Sequence, residues 1–388
     1  MKKQKIAIVY DWVDKFGGVE RLLLILHRMY PNAPLYTSIY DKRSARWARK
    51  IKVRTSFMQR LPRFITKRRI FSLPFFPLAF WSLDLSKYDT IISISSAFAK
   101  GVRTTKKQHH ISIVLTPPRY LWSHVYSYLP SSFFRKNELL TLAFRWWDHR
   151  TAQRPDTLLS ISQRVQKRVK KYYSRNSELL YPPFDVKYWR SVQSAVKKLR
   201  LPSPPLYFIP STPYYLVVSR LEPYKNIELV LETFKRLNWT LVVVGTGTQE
   251  RKLKYMASEN VLFLKHLNDL QLGYLYTHAR ALIMPQDEDF GYISLEAQSF
   301  GCPVISYRNS GTAETIIDGK TGILFAKQSV SSLINAIERS NRMTYNDRHE
   351  SDYLRGRSWN TTLATFKKKI SQAVRNHHRK PINPPAHR

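Results

Sequence analysis

Two glutamates, Glu288 and Glu296, are separated by seven residues in the segment EDFGYISLE at 288–296. They follow the apolar run Ala281–Met284, which predicts a strand, and Glu296 falls early in the helix predicted next. Gly291 lets another group approach the backbone closely, and the first N–H groups of a helix bind anions. Carboxylates beside such amides indicate a ligand with both hydroxyl and phosphate groups. The alternative is that Glu288 is a solvated side chain and that Glu296 is only an acid in the first turn of a helix, where acids are favourable.

Two cations, Arg220 and Lys225, lie in the segment SRLEPYKN at 219–226, directly after a predicted strand that begins at Tyr214. On a strand-to-helix loop, a guanidinium and an ammonium group can clamp a diphosphate. Solvated surface cations are the alternative, because the chain holds 64 Lys and Arg residues against 27 Asp and Glu residues. The position of these two residues, rather than their type, favours diphosphate binding.

Two glycine pairs also follow predicted strands. Gly17 and Gly18 precede a predicted helix, where the backbone can approach an anion, although tight turns use paired glycines as well. Gly245 and Gly247 follow the run Leu241–Val244 but lack the third glycine and the acidic ribose-binding residue of the dinucleotide fingerprint. We therefore predict no nicotinamide site.

The elements that position these residues alternate between strands and helices in both halves of the chain, as in parallel sheets covered by helices. In the first half the predicted strands are Ile6–Val9, Ile91–Ile94, Ile111–Leu115 and Thr157–Ser160, with a helix from Val19. In the second half the predicted strands are Tyr214–Ser219, Leu241–Val244, Val261–Leu264, Ala281–Met284 and Val304–Ile305, with helices at Asn226–Leu237 and Ser294–Phe300. This pattern predicts an α/β protein with two doubly wound domains.

A run of prolines between Tyr181 and Pro213 predicts the domain boundary, since proline is rare inside strands and helices. The predicted organisation is an N-terminal Rossmann-like domain at 1–190, a proline-rich linker at 191–212, a C-terminal Rossmann-like domain at 213–355, a helix at 356–375 that packs back on the N-terminal domain, and a basic tail at 376–388.

The formal net charge of +37 favours polyanionic partners, namely nucleic acid, anionic lipid or phosphorylated substrates. A soluble enzyme from a generally basic proteome is the alternative. The single cysteine, Cys302, allows neither an intrachain disulfide nor a cysteine-based metal site, and fits a reducing cytoplasm. No apolar run reaches the length of a membrane-spanning helix, and Ile6–Val9 is too short for a signal peptide.

One segment, residues 57–83, combines positive charge with large apolar side chains. A stretch rich in Phe, Leu, Pro and Trp follows five basic residues, Arg60, Arg63, Lys67, Arg68 and Arg69. Such a combination suits the headgroup boundary of an anionic membrane. The alternative, which the sequence leaves open, is that Phe71–Trp81 packs into the first domain.

The pattern as a whole resembles glycosyltransferase family 4, which are retaining enzymes with the GT-B fold. The segments that carry the resemblance are GGVE at 17–20, SRLEPYKN at 219–226, VVVGTGTQE at 242–250, EDFGYISLEAQSFGCPVI at 288–305 and SGTAETIIDGKTGILF at 310–325. LTPPRYLW at 115–122 and SISQRVQKRVKKYY at 160–173 are similar to a mannosyltransferase-like subgroup that builds bacterial surface polysaccharide. The resemblance implies two Rossmann-like domains facing each other across a cleft, an acceptor side in the first domain and a nucleotide-sugar site in the second.

The resemblance also implies roles for individual residues. It assigns catalysis to Glu288, which would bind the donor hexose, and to Arg220 and Lys225, which would neutralise the diphosphate. It assigns donor binding to Gly17, Gly18, Phe290, Gly291, Tyr292, Glu296, His266 and Leu267. It assigns the membrane or acceptor side to Arg60, Arg63, Lys67, Arg68, Arg69 and Arg119. It implies no metal ion and no cofactor, with the nucleotide-sugar as co-substrate.

Two positions depart from the family pattern. Leu115 stands where the family usually has a histidine near the donor sugar, and His109, His110 and His124 are out of register with that position. Ser123 stands where the subgroup tends to carry an acid. The first departure leaves a non-catalytic nucleotide-sugar-binding protein as an alternative to an enzyme.

The resulting hypothesis is a metal-independent hexosyltransferase. It would transfer mannose from GDP-mannose, with retention, to a lipid-linked or polysaccharide acceptor in cell-surface glycan synthesis. It would be cytoplasmic and peripheral on the inner face of the cytoplasmic membrane, held by anionic lipid. A UDP-sugar as donor is one alternative, and a GT-B epimerase or phosphorylase is another. A specific nucleic-acid partner is not expected, because RNP, KH, zinc-finger and basic-zipper patterns are not evident.

Overall fold

The computed structural model describes residues 4–67, 69–123, 138–198, 213–342 and 359–375 of the 388-residue chain. The chain divides into two compact units. Unit 1 is Met1–Pro182 with Leu363–Arg388, and unit 2 is Pro183–Thr362.

Unit 1 contains a parallel sheet with the strand order β3-β2-β1-β4-β5-β6-β7. Its elements in chain order are β1 (Ile6–Tyr10), α1 (Gly18–Met29), β2 (Leu35–Thr37), β3 (Val53–Thr55), α2 (Arg63–Lys67), α3 (Arg69–Ser72), α4 (Phe76–Trp81), β4 (Thr90–Ser95), β5 (His109–Val114), α5 (Arg119–Trp122), α6 (Glu138–Ala152), β6 (Thr157–Ser160), α7 (Gln163–Tyr173) and β7 (Glu178–Leu179). Strands β4 and β5 are buried along their whole length, as expected for central parallel strands covered on both faces.

Unit 2 contains a second parallel sheet, with the order β10-β9-β8-β11-β12-β13. Its elements are α8 (Val186–Lys197), β8 (Tyr214–Val218), α9 (Ile227–Phe234), β9 (Thr240–Val244), α10 (Glu250–Met256), β10 (Val261–Leu264), α11 (Asp269–His278), β11 (Ala279–Met284), α12 (Tyr292–Ser299), β12 (Val304–Tyr307), β13 (Gly322–Phe325) and α13 (Val330–Arg342). The last helix, α14 (Trp359–Arg375), crosses from unit 2 into unit 1.

Both sheets reverse their direction of winding at one place. In unit 1 the reversal lies between β1 and β4, and in unit 2 it lies between β8 and β11. The loops at the carboxyl ends of two such strands diverge and leave a crevice, which is where doubly wound domains bind ligands. The two doubly wound domains predicted from the sequence are confirmed.

The strands predicted from the sequence are all present, and β6 and β10 have the predicted bounds. Strands β2, β3, β7 and β13 were not predicted, because each has only two to four residues and carries little periodicity.

The domain boundary differs from the prediction. It falls after Pro182, and residues 191–197, predicted as linker, belong to helix α8 of unit 2. Val186, Trp189 and Val196 are buried on one face of this helix, and the Trp189 ring lies 6.0 Å from that of Phe300. The helical spacing of these three residues is a weaker signal in the sequence than the prolines on either side of them. The rest of the predicted linker from 199, and the predicted tail at 376–388, lie outside the described residues.

Residues 57–83 are divided between the core and the surface. Phe76 and Phe80 of α4 are buried, and the Phe76 ring stacks on Phe98 with centroids 4.8 Å apart. Leu78 and Trp81 of the same helix are exposed. Packing into the first domain is therefore confirmed for one face of this helix, and contact of the other face with a membrane stays a prediction. Among the described residues, no helix is both long enough and apolar enough to cross a membrane.

Candidate active site

The winding reversal of unit 2 brings together the two loops that carry the predicted catalytic residues. Arg220 and Lys225 follow β8, and Glu288 follows β11. Because β8 and β11 are hydrogen-bonded neighbours, their carboxyl ends lie side by side at one edge of the sheet. The site is therefore built by two segments more than sixty residues apart in the sequence.

Lys225 and Glu288 form an ion pair. Lys225 Nζ lies 2.5 Å from Glu288 Oε2, and the two side chains are only 11% and 20% exposed. Lys225 ends a short 3₁₀ helix, and its ammonium group lies 5.3 Å from the centre of the Tyr224 ring. A charged hydrogen bond in a partly dry setting is stronger than one in water. The cation predicted for the diphosphate and the carboxylate predicted for the hexose thus contact each other directly.

Gln286 is a third member of this cluster, and it was not predicted from the sequence. Its Nε2 donates a hydrogen bond to Glu288 Oε2 at 3.0 Å, so this oxygen accepts from both Lys225 and Gln286. Gln286 is buried directly after Pro285. A glutamine carries no spacing signal, so only the three-dimensional structure reveals it.

Arg220 lies on the exposed side of the β8 loop. Its guanidinium group hydrogen-bonds to the hydroxyl of Tyr224 and lies 5.7 Å from the centre of that ring. Tyr224 therefore contacts both cations of the loop, since Lys225 also lies over its ring. Cation–π contacts of this kind are attractive by about 0.5–1 kcal/mol at exposed sites.

The Gly245–Gly247 pair explains how the Arg220 loop is held. A Cβ at Gly245 would lie 1.8 Å from Ser219 O, and one at Gly247 would lie 2.3 Å from Leu221 O. Leu221 N–H donates to Thr246 O at 3.0 Å, which joins the two loops. These glycines therefore allow close packing between neighbouring loops, a role that the sequence did not indicate.

Helix α12 begins beside Glu288. Gly291 precedes it with φ +91, a conformation that favours glycine, and a Cβ there would lie 2.4 Å from Thr312 Oγ1. Gly311 N–H donates to Glu288 O at 2.7 Å. The loop that carries Gly311 and Thr312 therefore fixes the segment between Glu288 and the helix.

The remaining predicted donor-binding residues of unit 2 lie at the same edge or in the helix beside it. Phe290 is buried and Tyr292 half-buried, with ring centroids 5.3 Å apart. Glu296 is buried within α12, about one turn after Tyr292, and is not a solvated acid. His266 and Leu267 follow β10, two strands away from β8, and His266 is exposed.

In unit 1, the Gly17–Gly18 turn faces a carboxylate. Gly17 precedes α1 in an extended conformation, and a Cβ there would lie 3.2 Å from Glu20 Oε2. Glu20 is buried, and this burial raises the pKa of its carboxyl group. The helix start that was predicted to admit an anion therefore already has an acidic side chain beside it.

Asp11 joins the two strands at the winding reversal of unit 1, and sequence reasoning missed it. Its buried carboxylate accepts backbone N–H groups from Ser96, Ala97, Phe98 and Ala99 at 2.7 to 3.0 Å. Burial raises the pKa of Asp11, and these hydrogen bonds oppose that rise. Asp11 thereby fixes the loop after β4.

Three of the basic residues predicted for the membrane or acceptor side have a described side-chain exposure, and it differs among them. Arg60 and Arg63 are exposed, whereas Arg119 is 6% exposed at the start of α5. The side chain of Arg119 therefore lies inside unit 1 rather than at its surface, and its place on the membrane or acceptor side stays a prediction. Lys67 and Arg69 lie in α2 and α3, and Arg68 lies outside the described residues.

Solved structures of known proteins define the class of fold. The sucrose-phosphate synthase of Thermosynechococcus elongatus matches with a TM-score of 0.70 and 15% identity, over 96% of this chain and 100% of that one. At this identity the likeness establishes the fold alone. With its two doubly wound units, the protein has the GT-B fold, as the sequence predicted.

Residues 207–350, which are part of unit 2, match the family model described as "Glycosyl transferases group 1". The glycogen synthase of Mycobacterium tuberculosis H37Rv is 32% identical over 133 residues, which are 31% of this chain and 32% of that protein. The GDP-mannose-dependent alpha-(1-6)-phosphatidylinositol monomannoside mannosyltransferase of Mycolicibacterium smegmatis is 28% identical over 149 residues, 34% of this chain and 39% of that protein. The chain thus spans about a third of the length of these relatives.

Proposed function

We propose that the protein is a retaining glycosyltransferase that moves a hexose from a nucleotide-sugar to a lipid-linked or polysaccharide acceptor in cell-surface glycan synthesis. One observation carries the proposal. The Lys225–Glu288 pair lies at the winding reversal of unit 2, inside the region that matches group 1 glycosyl transferases. A carboxylate suits sugar hydroxyls and an ammonium group suits phosphate, so this pair has the chemistry for both halves of the donor.

The roles of these residues follow from their positions. Glu288 accepts hydrogen bonds from the hexose, and Lys225 and Arg220 stabilise the negative charge that develops on the diphosphate. Lys225 has three N–H donors, so its ammonium group can contact a phosphate while it keeps one bond to Glu288. Because the charge grows as the bond to the sugar breaks, these cations bind the transition state more tightly than the substrate.

Retention follows when the acceptor attacks the face that the diphosphate leaves. The bond between the anomeric carbon and the diphosphate oxygen breaks, and its electron pair stays on that oxygen. The acceptor hydroxyl oxygen bonds to the anomeric carbon, and its proton passes to the departing diphosphate. This ion-pair-like substitution uses the cations Arg220 and Lys225 and needs no divalent metal ion. Transfer should therefore continue after treatment with EDTA.

The proposed donor is GDP-mannose. The relative from Mycolicibacterium smegmatis is named as a GDP-mannose-dependent phosphatidylinositol monomannoside mannosyltransferase. This name supports both a mannosyl donor and a lipid-linked acceptor. A UDP-sugar is the alternative donor.

The proposed location is the inner face of the cytoplasmic membrane. Exposed apolar side chains on α2, α3 and α4 support it, namely Phe64, Phe71, Leu78 and Trp81. Arg103 lies 5.5 Å from the Trp81 ring, and Arg63 is exposed beside Phe64. Large apolar groups next to cations suit an anionic headgroup layer. The net charge of +37 would strengthen the attraction.

A panel of radiolabelled GDP- and UDP-sugars, incubated with the protein and membranes from its source cell, tests the proposal. Label should enter the lipid or polysaccharide fraction from GDP-mannose with the wild-type protein and fail to enter with Glu288→Gln. Incorporation from a UDP-sugar alone would correct the donor. Donor binding without product, across several donors and acceptors, would show a non-catalytic binding protein.

A further inference from the structure

Gln286 is the buried neutral partner of the Lys225–Glu288 pair. Its side chain is 3% exposed, and its Nε2 donates to the Glu288 oxygen that also accepts from Lys225. The two donors reach this oxygen from different loops, Lys225 from the loop after β8 and Gln286 from the loop after β11. One oxygen of Glu288 is therefore held by a charged donor and by an uncharged one.

The orientation of the Gln286 amide is set by Glu288. Only the NH₂ group can face a carboxylate, because the opposite orientation would bring two oxygens together. Gln286 Oε1 then points away and, within the part of the chain that the structure describes, has no hydrogen-bond partner. A buried acceptor without a partner costs folding free energy. The amide is thus placed at the expense of stability, which is typical of functional positions.

The backbone around Gln286 holds the side chain in place. Pro285 O accepts from Gln328 Nε2 at 2.7 Å, and Gln286 O accepts from Glu288 N–H at 3.1 Å. Glu288 O accepts from Gly311 N–H at 2.7 Å. The backbone oxygens of Pro285, Gln286 and Glu288 thus each accept a hydrogen bond, which restrains the segment that carries both side chains.

We propose that Gln286 is a positioning residue for the carboxylate that binds the donor sugar. It keeps Glu288 in place when the Lys225 ammonium group turns towards the diphosphate. The proposal rests on the function proposed above. Without the amide, Glu288 Oε2 would lose a donor that carries no charge, whereas the charged donor, Lys225, is also attracted by the diphosphate. The hydrogen bond from Lys225 to Glu288 would then compete with the contact between Lys225 and the diphosphate, whose negative charge is greatest in the transition state.

The substitution Gln286→Met tests this inference, because methionine has a similar shape and lacks both the donor and the unpartnered acceptor. With GDP-mannose as donor, we expect kcat/KM to fall roughly tenfold to a hundredfold, through both weaker donor binding and a lower kcat. The Tm should stay the same or rise, since the unpartnered oxygen is gone. A merely structural role would lower the Tm and leave kcat unchanged.

Gln298→Met is the matched control. Gln298 is a buried glutamine of α12 whose Oε1 also has no hydrogen-bond partner among the described residues, and its Nε2 bonds to Ser294 rather than to Glu288. This variant should keep the wild-type kcat/KM. Wild-type kcat/KM in folded Gln286→Met, or an equal loss in Gln298→Met, would overturn the inference.

A double-mutant cycle with Glu288→Gln shows whether Gln286 acts through Glu288. In the cycle, GDP-mannose binding is measured by calorimetry for the wild type, both single variants and the double variant. Gln286→Met should weaken binding in the wild-type background and change it less than about twofold in Glu288→Gln. Additive losses would contradict the inference. If Gln286→Met does not fold, Gln286→Asn, which keeps the amide but is shorter, is measured in the same way.

The wild-type protein separates the two proposals. A wild type that neither binds nor transfers any GDP- or UDP-sugar removes the proposed function itself. A wild type that transfers the sugar, with a Gln286→Met variant that transfers it equally well, removes only the role of Gln286.

Discussion

Lys225 Nζ lies 2.5 Å from Glu288 Oε2, although the two residues are 63 positions apart in the chain. The pair is largely withdrawn from solvent, so each charge depends on the other. The two residues therefore form one electrostatic unit, and the consequences of changing either can be measured.

Removal of either partner of this pair should abolish transfer. Lys225→Gln and Glu288→Gln should each lower kcat/KM by at least about a hundredfold, because each leaves a buried charge without its partner and removes one predicted donor contact. Lys252→Gln is the control. It removes an exposed ion pair, in which Lys252 Nζ lies 2.7 Å from Glu228 Oε1, and such pairs contribute about 0–1 kcal/mol. A folded Lys225→Gln enzyme with wild-type kcat/KM would refute the assignment.

Gly291 should tolerate alanine poorly, and Gly319 supplies a matched comparison. Both have positive φ, +91 and +83, but only at Gly291 would a Cβ meet another atom, Thr312 Oγ1 at 2.4 Å. Gly319→Ala should cost about 1 kcal/mol of unfolding free energy, and Gly291→Ala at least about 2 kcal/mol. Urea denaturation measures both values. Equal losses would mean that Thr312 moves away without cost.

The stability of unit 1 should fall with acidity partly through His110. This residue is fully buried, its Nε2 lies 2.9 Å from Ser93 Oγ, and burial lowers its pKa to about 3. In the unfolded chain the pKa is about 6.5, so between these values only the unfolded state binds the proton. The unfolding free energy that neutral His110 contributes above pH ~6.5 is therefore lost as the pH falls from about 6.5 towards 3.

Replacing His110 by glutamine should flatten this dependence. From pH 6 to pH 5, the unfolding free energy of the wild type should decrease more steeply than that of His110→Gln, by up to about 1.4 kcal/mol per pH unit. Denaturant melts at several pH values give both slopes. Parallel slopes would show that His110 does not contribute.

Membrane binding should depend on exposed aromatic residues of unit 1. The double variant Phe64→Ser/Trp81→Ser should bind phosphatidylglycerol vesicles at least roughly tenfold more weakly than wild type, since each ring contributes apolar area. Co-sedimentation measures this binding, which should also weaken at high salt. Tyr255→Ser is the control, because Tyr255 is 92% exposed in unit 2. Equal binding by all three proteins to anionic vesicles would exclude this surface.

The sequence by itself determined which segments form most of the strands and helices, and at which edge of the second sheet the candidate site lies. Apolar periodicity depends on neighbouring residues, so β1, β6 and β8 could be read directly from the chain. Glu288, Arg220 and Lys225 could be placed after strands, and parallel strands end at a common edge. That was enough to predict two doubly wound domains with a polar site in the second.

Only the tertiary structure decided which side chains meet there. The pairing of Lys225 with Glu288 requires β8 and β11 to be neighbours, and strand order is a property of the whole sheet. The role of Gln286 and the burial of Arg119 depend in the same way on packing between segments distant in the chain. Local sequence fixes where a residue lies along an element, whereas long-range packing fixes its partners and its exposure.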